Sequence, residues 1–269
     1  SLFKKGVCMN NLNIFDLQKL NSMTKYPSIL TYHELGDKGM LQESLCEGKS
    51  FEGNEVIITE KVDGTNGRII IYNGDYMIGS REDILYAKSD RIINPALGIV
   101  ETLKPFAEKL ANNLENNNSI RIVFSEVYGG NVTAASKQYT STKEWSFRTF
   151  DICIIDPETI EKVIGMDRDK IALWRDNGGQ HFVSEKVIES FANMYSIKRV
   201  PYLSIIDGSD LPVTLTKTYE FLKFFENSKA TIDSESGRAE GIVVRTKDRS
   251  LIRKIRFEDY ERTKKRGGF

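Results

Sequence analysis

The chain has 269 residues, 40% hydrophobic and 28% charged, enough for one large domain or two small ones around a substantial core. With 38 basic against 38 acidic residues it carries no net charge, which argues against a protein that coats polyanions with its whole surface. No apolar run approaches the roughly 20 residues that span a bilayer, Ser1–Gly6 lacks a signal-peptide apolar core, and Cys8, Cys46 and Cys153 are too scattered for a disulfide scaffold or zinc site.

In chain order, residues 1–50 show weak periodicity and turn formers such as Gly36-Asp37-Lys38-Gly39, and read as a lead-in packed on a main domain over 51–269. Val56-Ile57-Ile58 and Ile69-Ile70-Ile71-Tyr72 are short β-branched runs that read as buried strands. Between them lies Thr59-Glu60-Lys61-Val62-Asp63-Gly64-Thr65-Asn66-Gly67-Arg68. Asp-Gly between apolar strands is a hairpin signal, which would leave Lys61 a solvated lysine beside a turn. The other reading sets its amine over a sheet, where it must be paired or do chemistry.

Asn73-Gly74 predicts a two-residue hairpin into Tyr76-Met77-Ile78, so that Val56–Ser80 forms a small antiparallel sheet with Arg81 directly after it. Ile99, Leu103, Phe106, Leu110 and Leu114 recur at helical spacing, with Pro105 expected to kink or restart that helix. Strands follow at 120–128 and 146–155. Helices at 186–195 and 217–225 turn Val187, Ile188, Phe191 and Tyr195, then Phe221, Leu222 and Phe225, toward a core. Two last strands, 241–245 and 251–256, precede a basic tail; from Arg245 to Phe269 there are ten Lys or Arg against four Asp or Glu. His33 and His181 read as structural or surface residues. The order is that of an α+β fold with mainly antiparallel sheets.

Charged residues recur at strand edges: Glu60 and Lys61, Arg81, Glu126, Asp151, Glu240, and Lys254 with Arg256, which share one face by alternation. Several acids within strands point to a lined cleft rather than a core. A lysine, acids, the aromatic Phe147 and a basic pair are what binding a nucleoside triphosphate requires. No P-loop and no Rossmann fingerprint is present.

These stretches follow a known motif order: Lys61-Val62-Asp63-Gly64, Phe124-Ser125-Glu126-Val127-Tyr128-Gly129-Gly130, Phe147-Arg148-Thr149-Phe150-Asp151-Ile152, Glu240-Gly241-Ile242-Val243-Val244-Arg245, and Lys254-Ile255-Arg256. From about Ile57 to Arg256 the chain resembles the covalent nucleotidyltransferases, and with Thr65-Asn66 after the glycine it looks most like RNA ligases of the RNA-editing, nick-sealing type. The resemblance implies a nucleotidyltransferase (ATP-grasp-like) domain of mainly antiparallel sheets flanked by helices, with the nucleotide in the cleft between them. It implies an ATP-dependent ligase that forms lysyl-AMP, passes AMP to a 5′-phosphate RNA end and joins it to a 3′-hydroxyl.

By the same resemblance Lys61 is the nucleophile and Asp63 the acid of its motif. Glu60 and Asn66 help hold the nucleotide, Phe147 stacks on adenine, and Glu126 binds the ribose. Arg81 sits at the sugar or the incoming 5′-phosphate, Glu240 holds Mg²⁺ or Mn²⁺, and Lys254 and Arg256 meet the α-phosphate. Arg256 departs from the usual closing Lys-x-Lys, keeping charge but not shape. A free lysine is neutral about one time in a thousand near pH 7.4, a cost of about 4 kcal/mol that neighbouring cations reduce. A capping-type guanylyltransferase is disfavoured by Asn66, where such enzymes carry arginine, and an RNA-end-binding module without joining by the intact motifs. Only 13 residues follow Arg256, so no C-terminal oligonucleotide-binding barrel or helical domain is expected. A partner protein supplying the missing substrate-binding domain, and a cytoplasmic location without membrane contact, complete the expectation.

Overall fold

The computed structural model describes residues 12–88, 98–130, 132–233 and 237–269. Cys8 lies outside them; Cys46 and Cys153 are free thiols. The strands are β1 (His33–Leu35), β2 (Leu41–Leu45), β3 (Glu55–Lys61), β4 (Thr65–Tyr72), β5 (Asp75–Ser80), β6 (Ile84–Ala87), β7 (Ile120–Gly129), β8 (Trp145–Ile155), β9 (His181–Phe182), β10 (Tyr202–Asp207), β11 (Gly241–Thr246) and β12 (Ile252–Arg256). The helices are α1 (Leu17–Thr24), α2 (Ile99–Asn113), α3 (Pro157–Ile164), α4 (Arg168–Asp176), α5 (Glu185–Tyr195), α6 (Leu215–Lys223) and α7 (Phe257–Lys265). The chain forms two compact units and changes unit after Pro27, Gly64, Val127, Thr149 and Val183. The first fifty residues are accordingly shared: 12–27 go with the first unit and 28–50 with the second.

The first unit is built on a sheet of order β6-β5-β4-β7-β8-β9. Ile70, Met77, Ile122 and Phe124 pack with Leu20 and Met23 of α1, Ile160 and Val163 of α3, and Ile171 of α4. The Asn73-Gly74 turn forms as expected: both residues have positive φ (43° and 81°) and Tyr72 pairs with Asp75. Ile99, Leu103, Phe106 and Leu110 of α2 are buried, again as expected. Pro105, however, sits inside an uninterrupted helix. It lies on the exposed face, where the carbonyl deprived of its helical donor can be hydrated. Arg68 is wholly buried and donates to the Ser80 carbonyl (3.1 Å), the Asn21 carbonyl (2.9 Å), Thr24 Oγ1 (2.6 Å) and Asn21 Oδ1, so it ties α1 to β4 and β5. Burial lowers its pKa to about 9, against the nearby carboxylates Glu82 and Asp83.

The second unit holds an antiparallel sheet of order β10-β3-β11-β12 and the small β1-β2 pair. Val56, Ile58, Ile242, Val244 and Ile255 form its core with Leu215 and Leu222 of α6 and Phe257 and Tyr260 of α7. Here the expectation of one small sheet over Val56–Ser80 is overturned. β3 pairs with β10 and β11, β4 pairs with β5 and β7, and Gly64 is where the chain leaves the second unit. Val56–Ser80 is therefore not one sheet. On α5 the buried residues are Ile188 and Ala192, while Val187 is exposed. Of the two histidines, His181 is exposed and His33 is buried.

His33 Nε2–H donates to the Val213 carbonyl (2.8 Å), so Nδ1 accepts from the Tyr260 hydroxyl (2.7 Å). Burial holds its pKa below the usual value, more than the Val213 bond and Glu43 raise it. The folded state thus binds fewer protons there than the unfolded chain. This stabilisation is full above the unfolded pKa near 6.5 and is lost as pH falls through the lower folded one. Melting temperatures followed downward from neutral pH should fall more steeply for the wild type than for a His33→Gln variant; identical pH profiles would exclude His33 as an acid-sensitive point.

Candidate functional site

In the second unit, β3, β11 and β12 set Lys61, Gly241 and Arg256 in one row across the sheet, and Thr59, Val243 and Lys254 in the row two residues along. Strand alternation puts Lys61, Lys254 and Arg256 on one face and Glu60, Ile242 and Ile255 on the core face. Lys61 Nζ donates to Glu240 Oε2 at 2.9 Å, and Arg256 Nη1 lies 3.8 Å from Glu240 Oε1. Arg256 is anchored by two bonds to Asp259, from Nε (2.9 Å) and Nη2 (3.1 Å), and buried Asp259 also accepts from Arg262 (2.5 Å). Lys254 is fixed through its backbone, its N–H on the Leu30 carbonyl (2.9 Å) and its carbonyl on the Tyr32 N–H (3.0 Å).

Electrostatics follow from this crowding. Burial, then Arg256 and Lys61, hold the Lys254 ammonium below the usual lysine pKa. Burial, then Glu240, raises the Asp63 carboxyl, while Lys61 works the other way. The face therefore carries three cations and two carboxylates in partial desolvation, where each charge controls its neighbours.

Gly241 explains the close row. A Cβ there would lie 2.2 Å from the Ile255 carbonyl oxygen and 2.8 Å from Arg256 Cα. These are backbone atoms, so only glycine lets β12 approach. The Gly129-Gly130 pair has a similar cause: both have positive φ (77° and 53°), and a Cβ on Gly130 would overlap the Trp145 indole.

The turn after Lys61 is held by Tyr139, whose buried phenol oxygen accepts the Asp63 N–H at 2.7 Å. Burial raises that phenol's pKa, so it stays neutral. Glu60, adjacent to Lys61 in sequence, is 1% exposed; its oxygens accept from Ser228 Oγ (2.5 Å) and the Lys229 N–H (2.7 Å), and burial raises its pKa. Phe147 is half-buried on β8 of the same unit, beside Arg148, which donates to the Tyr128 hydroxyl (3.0 Å) and the Arg199 carbonyl (3.0 Å).

Asn66, Arg81 and Glu126 belong to the first unit. Asn66 on β4 faces half-buried Glu126 on β7 in register, and its side-chain oxygen is buried with no hydrogen-bond donor. Such an orphan acceptor is rare and suits a ligand donor. Arg81 is exposed after β5, with its Nε 3.9 Å from Glu82. The structure thus gathers Lys61, Asp63, Glu240, Lys254 and Arg256 in one cluster, sends the Glu60 carboxylate to the core face, and pairs Asn66 with Glu126 separately. Tyr139, Ser228 and Asp259 were not foreseen. Only Asp259 carried a sequence signal, as an acid three residues after Arg256.

Comparison with solved structures finds Naegleria gruberi RNA ligase with PPi, 14% identical, covering 89% of this chain and 64% of that one at a TM-score of 0.52. A mutant of the same ligase with ATP and Mn is 16% identical, covering 90% and 63% at 0.52. The chain therefore spans less than two thirds of these relatives' length, and the likeness establishes a nucleotidyltransferase fold. Curated proteins give no match. A profile of the RNA ligase family covers residues 54–265, and the chain belongs to that family.

Two substitutions test the geometry. Gly241→Ala should force β12 away, lowering stability by about 2 kcal/mol or more by analogy with overpacking; an unchanged melting temperature would refute the close-approach argument. Tyr139→Phe removes the acceptor of the part-buried Asp63 N–H and should cost about 1 kcal/mol, read by urea unfolding; a neutral effect would mean that the Asp63 amide is satisfied elsewhere.

Proposed function

We propose that this protein is an ATP-dependent RNA ligase working through Lys61. The observation that carries the reading is the Lys61–Glu240 pair, set with Lys254 and Arg256 on one sheet face. Lys61 Nζ would attack the α-phosphorus of ATP: an N–P bond forms, the P–O bond to pyrophosphate breaks, and the amine's proton leaves through the Glu240 hydrogen bond. Lys254 and Arg256 would receive the α-phosphate. Arg256 can do so as a fixed fork, because Asp259 orients it.

The carboxylates fit a divalent cation: Glu240 raises the pKa of Asp63, a repulsion that a positive ion offsets. Among the described residues no three acids, cysteines or histidines cluster as a metal cage, so phosphate and water would complete the shell, as Mg²⁺ prefers. When bound, Mg²⁺ or Mn²⁺ neutralises phosphate charge and the leaving pyrophosphate.

Phe147, in the same unit as Lys61, would stack on adenine. Glu60, with its side chain taken by Ser228 and Lys229, would contribute through its backbone. AMP would then pass to the 5′-phosphate of an RNA end, and the 3′-hydroxyl would displace it. Nick sealing, a partner protein that supplies further RNA contacts, and action in the cytoplasm belong to the same proposal.

Incubation with α-labelled ATP or GTP and Mg²⁺, followed by a denaturing gel, tests it. Label from ATP that vanishes in Lys61→Ala and drops at least about tenfold in Glu240→Gln supports the reading, tenfold being about 1.4 kcal/mol of barrier. Label from GTP alone would indicate a capping-type enzyme, and label surviving in Lys61→Ala would place the nucleophile elsewhere.

A further inference from the structure

Helix α7 starts at the site, with Arg256 as its N-cap, and ends in a cluster of cations. Lys264, Lys265 and Arg266 lie at that end, and Arg266 reaches back to the Lys38 carbonyl (2.7 Å) while Arg262 reaches the Gly39 carbonyl (2.9 Å). These bonds bring exposed Lys38 beside the helix end. Lys223 of α6 and Lys264 both lie over the Tyr219 ring, at 4.6 Å and 5.5 Å from its centroid.

The acids of α7 and those around Arg238 are already engaged, which leaves exposed Asp37 and Glu220 as the acids near the cluster's lysines in sequence. Glu258 pairs with Arg262 (3.1 Å), Asp259 holds Arg256 and Arg262, and Glu226 and Glu261 share Arg238. Among the described residues none of Lys38, Lys223, Lys264 and Lys265 forms an ion pair with a carboxylate. Lysines in a last helical turn are favoured by the helix dipole, which accounts for Lys264 and Lys265 as a solvated end. It does not account for Lys38 and Lys223, which come from other segments, nor for two ammonium groups drawn to one ring. Their mutual repulsion is offset if a multivalent anion binds across them.

The helix also fixes the distance. At 1.5 Å per residue, Lys264 to Arg266 lie about 12–15 Å along α7 from Arg256. On the DNA-duplex scale of about 3.4 Å of axis per phosphate, this spacing is about four nucleotides. We propose that the cation cluster of Lys38, Lys223, Lys264, Lys265 and Arg266 binds the phosphate backbone of the RNA strand whose end reacts at Lys61. The contact falls about four nucleotides from the join. The inference rests on the reading of the protein as an RNA ligase, and it assigns the cluster no part in forming lysyl-AMP.

The test compares the wild type with a Lys223→Ala, Lys264→Ala, Lys265→Ala triple variant. Binding of a dye-labelled nicked RNA duplex is followed by anisotropy from about 50 to about 200 mM salt. At the low end the triple variant should bind about 10–100-fold more weakly, with a log affinity–log salt slope shallower by about 2–3, near 0.9 for each lost phosphate contact. Arginine at the same three positions should restore both, and the alanine variant should still unfold cooperatively, its melting temperature lowered only by the lost ring and helix-end contacts. Wild-type affinity and slope in the alanine variant would overturn the proposal, including in favour of an acidic protein as the true occupant. Labelling by ATP, measured in parallel, separates the two ideas. Unlabelled wild type sinks the ligase reading, whereas labelled protein with an unaltered salt slope sinks only the backbone contact.

Discussion

An ammonium held 2.9 Å from a carboxylate is the interaction around which the second unit is arranged. Lys61 and Glu240 are 179 residues apart in sequence, and they meet because β11 lies antiparallel to β3 with Gly241 opposite Lys61. The same register brings Arg256 to the other side of Gly241. A side chain at 241 would strike the backbone of β12, so the smallest residue in the row decides how near the largest cation comes. Charge alone would not keep such a cluster together. Three cations and two carboxylates in a half-buried face balance only if backbone pairing fixes their spacing.

The opposing pKa shifts show how that balance is set. Lys254 is pushed toward neutrality and Asp63 toward protonation, each first by burial and then by a like charge. The charged form of each would be favoured again if a species of opposite sign entered: phosphate for the lysine, a metal ion for the acid. A triphosphate with its counter-cation supplies both. This is a physical reason to expect such a ligand that does not depend on family membership.

What the sequence made legible was local. The Asn73-Gly74 turn, the buried stripe of α2 and the shared face of Lys254 and Arg256 all follow from periodicities of a few residues. Asp63-Gly64 misled because a hairpin dipeptide cannot report that β3 takes partners more than a hundred residues away while β4 pairs with β5 and β7 in another sheet. Pro105 misled because the rule for helix interiors weakens on a solvated face. At the site, residue types revealed Lys61, Glu240, Lys254 and Arg256, but not that the neighbouring Glu60 carboxylate faces the core. Tyr139 was invisible: an aromatic that accepts a backbone N–H from 76 residues away leaves no pattern in composition or spacing.

The repeated passage of the chain from one unit to the other bears on how the protein can be taken apart. No single cut separates the units, because each is assembled from three stretches: a segment long enough to hold one whole, 1–183 or 28–269, also carries two stretches of the other. A fragment ending at Gly64 would contain β3 without β11 and β12, leaving Lys61 with neither its glycine neighbour nor its counter-ion. Dissection by truncation therefore does not isolate the second unit from stretches of the first. Splitting the gene for complementation would demand that both fragments thread through each other's sheets during folding, so their recovery as a pair should be slow and depend on concentration.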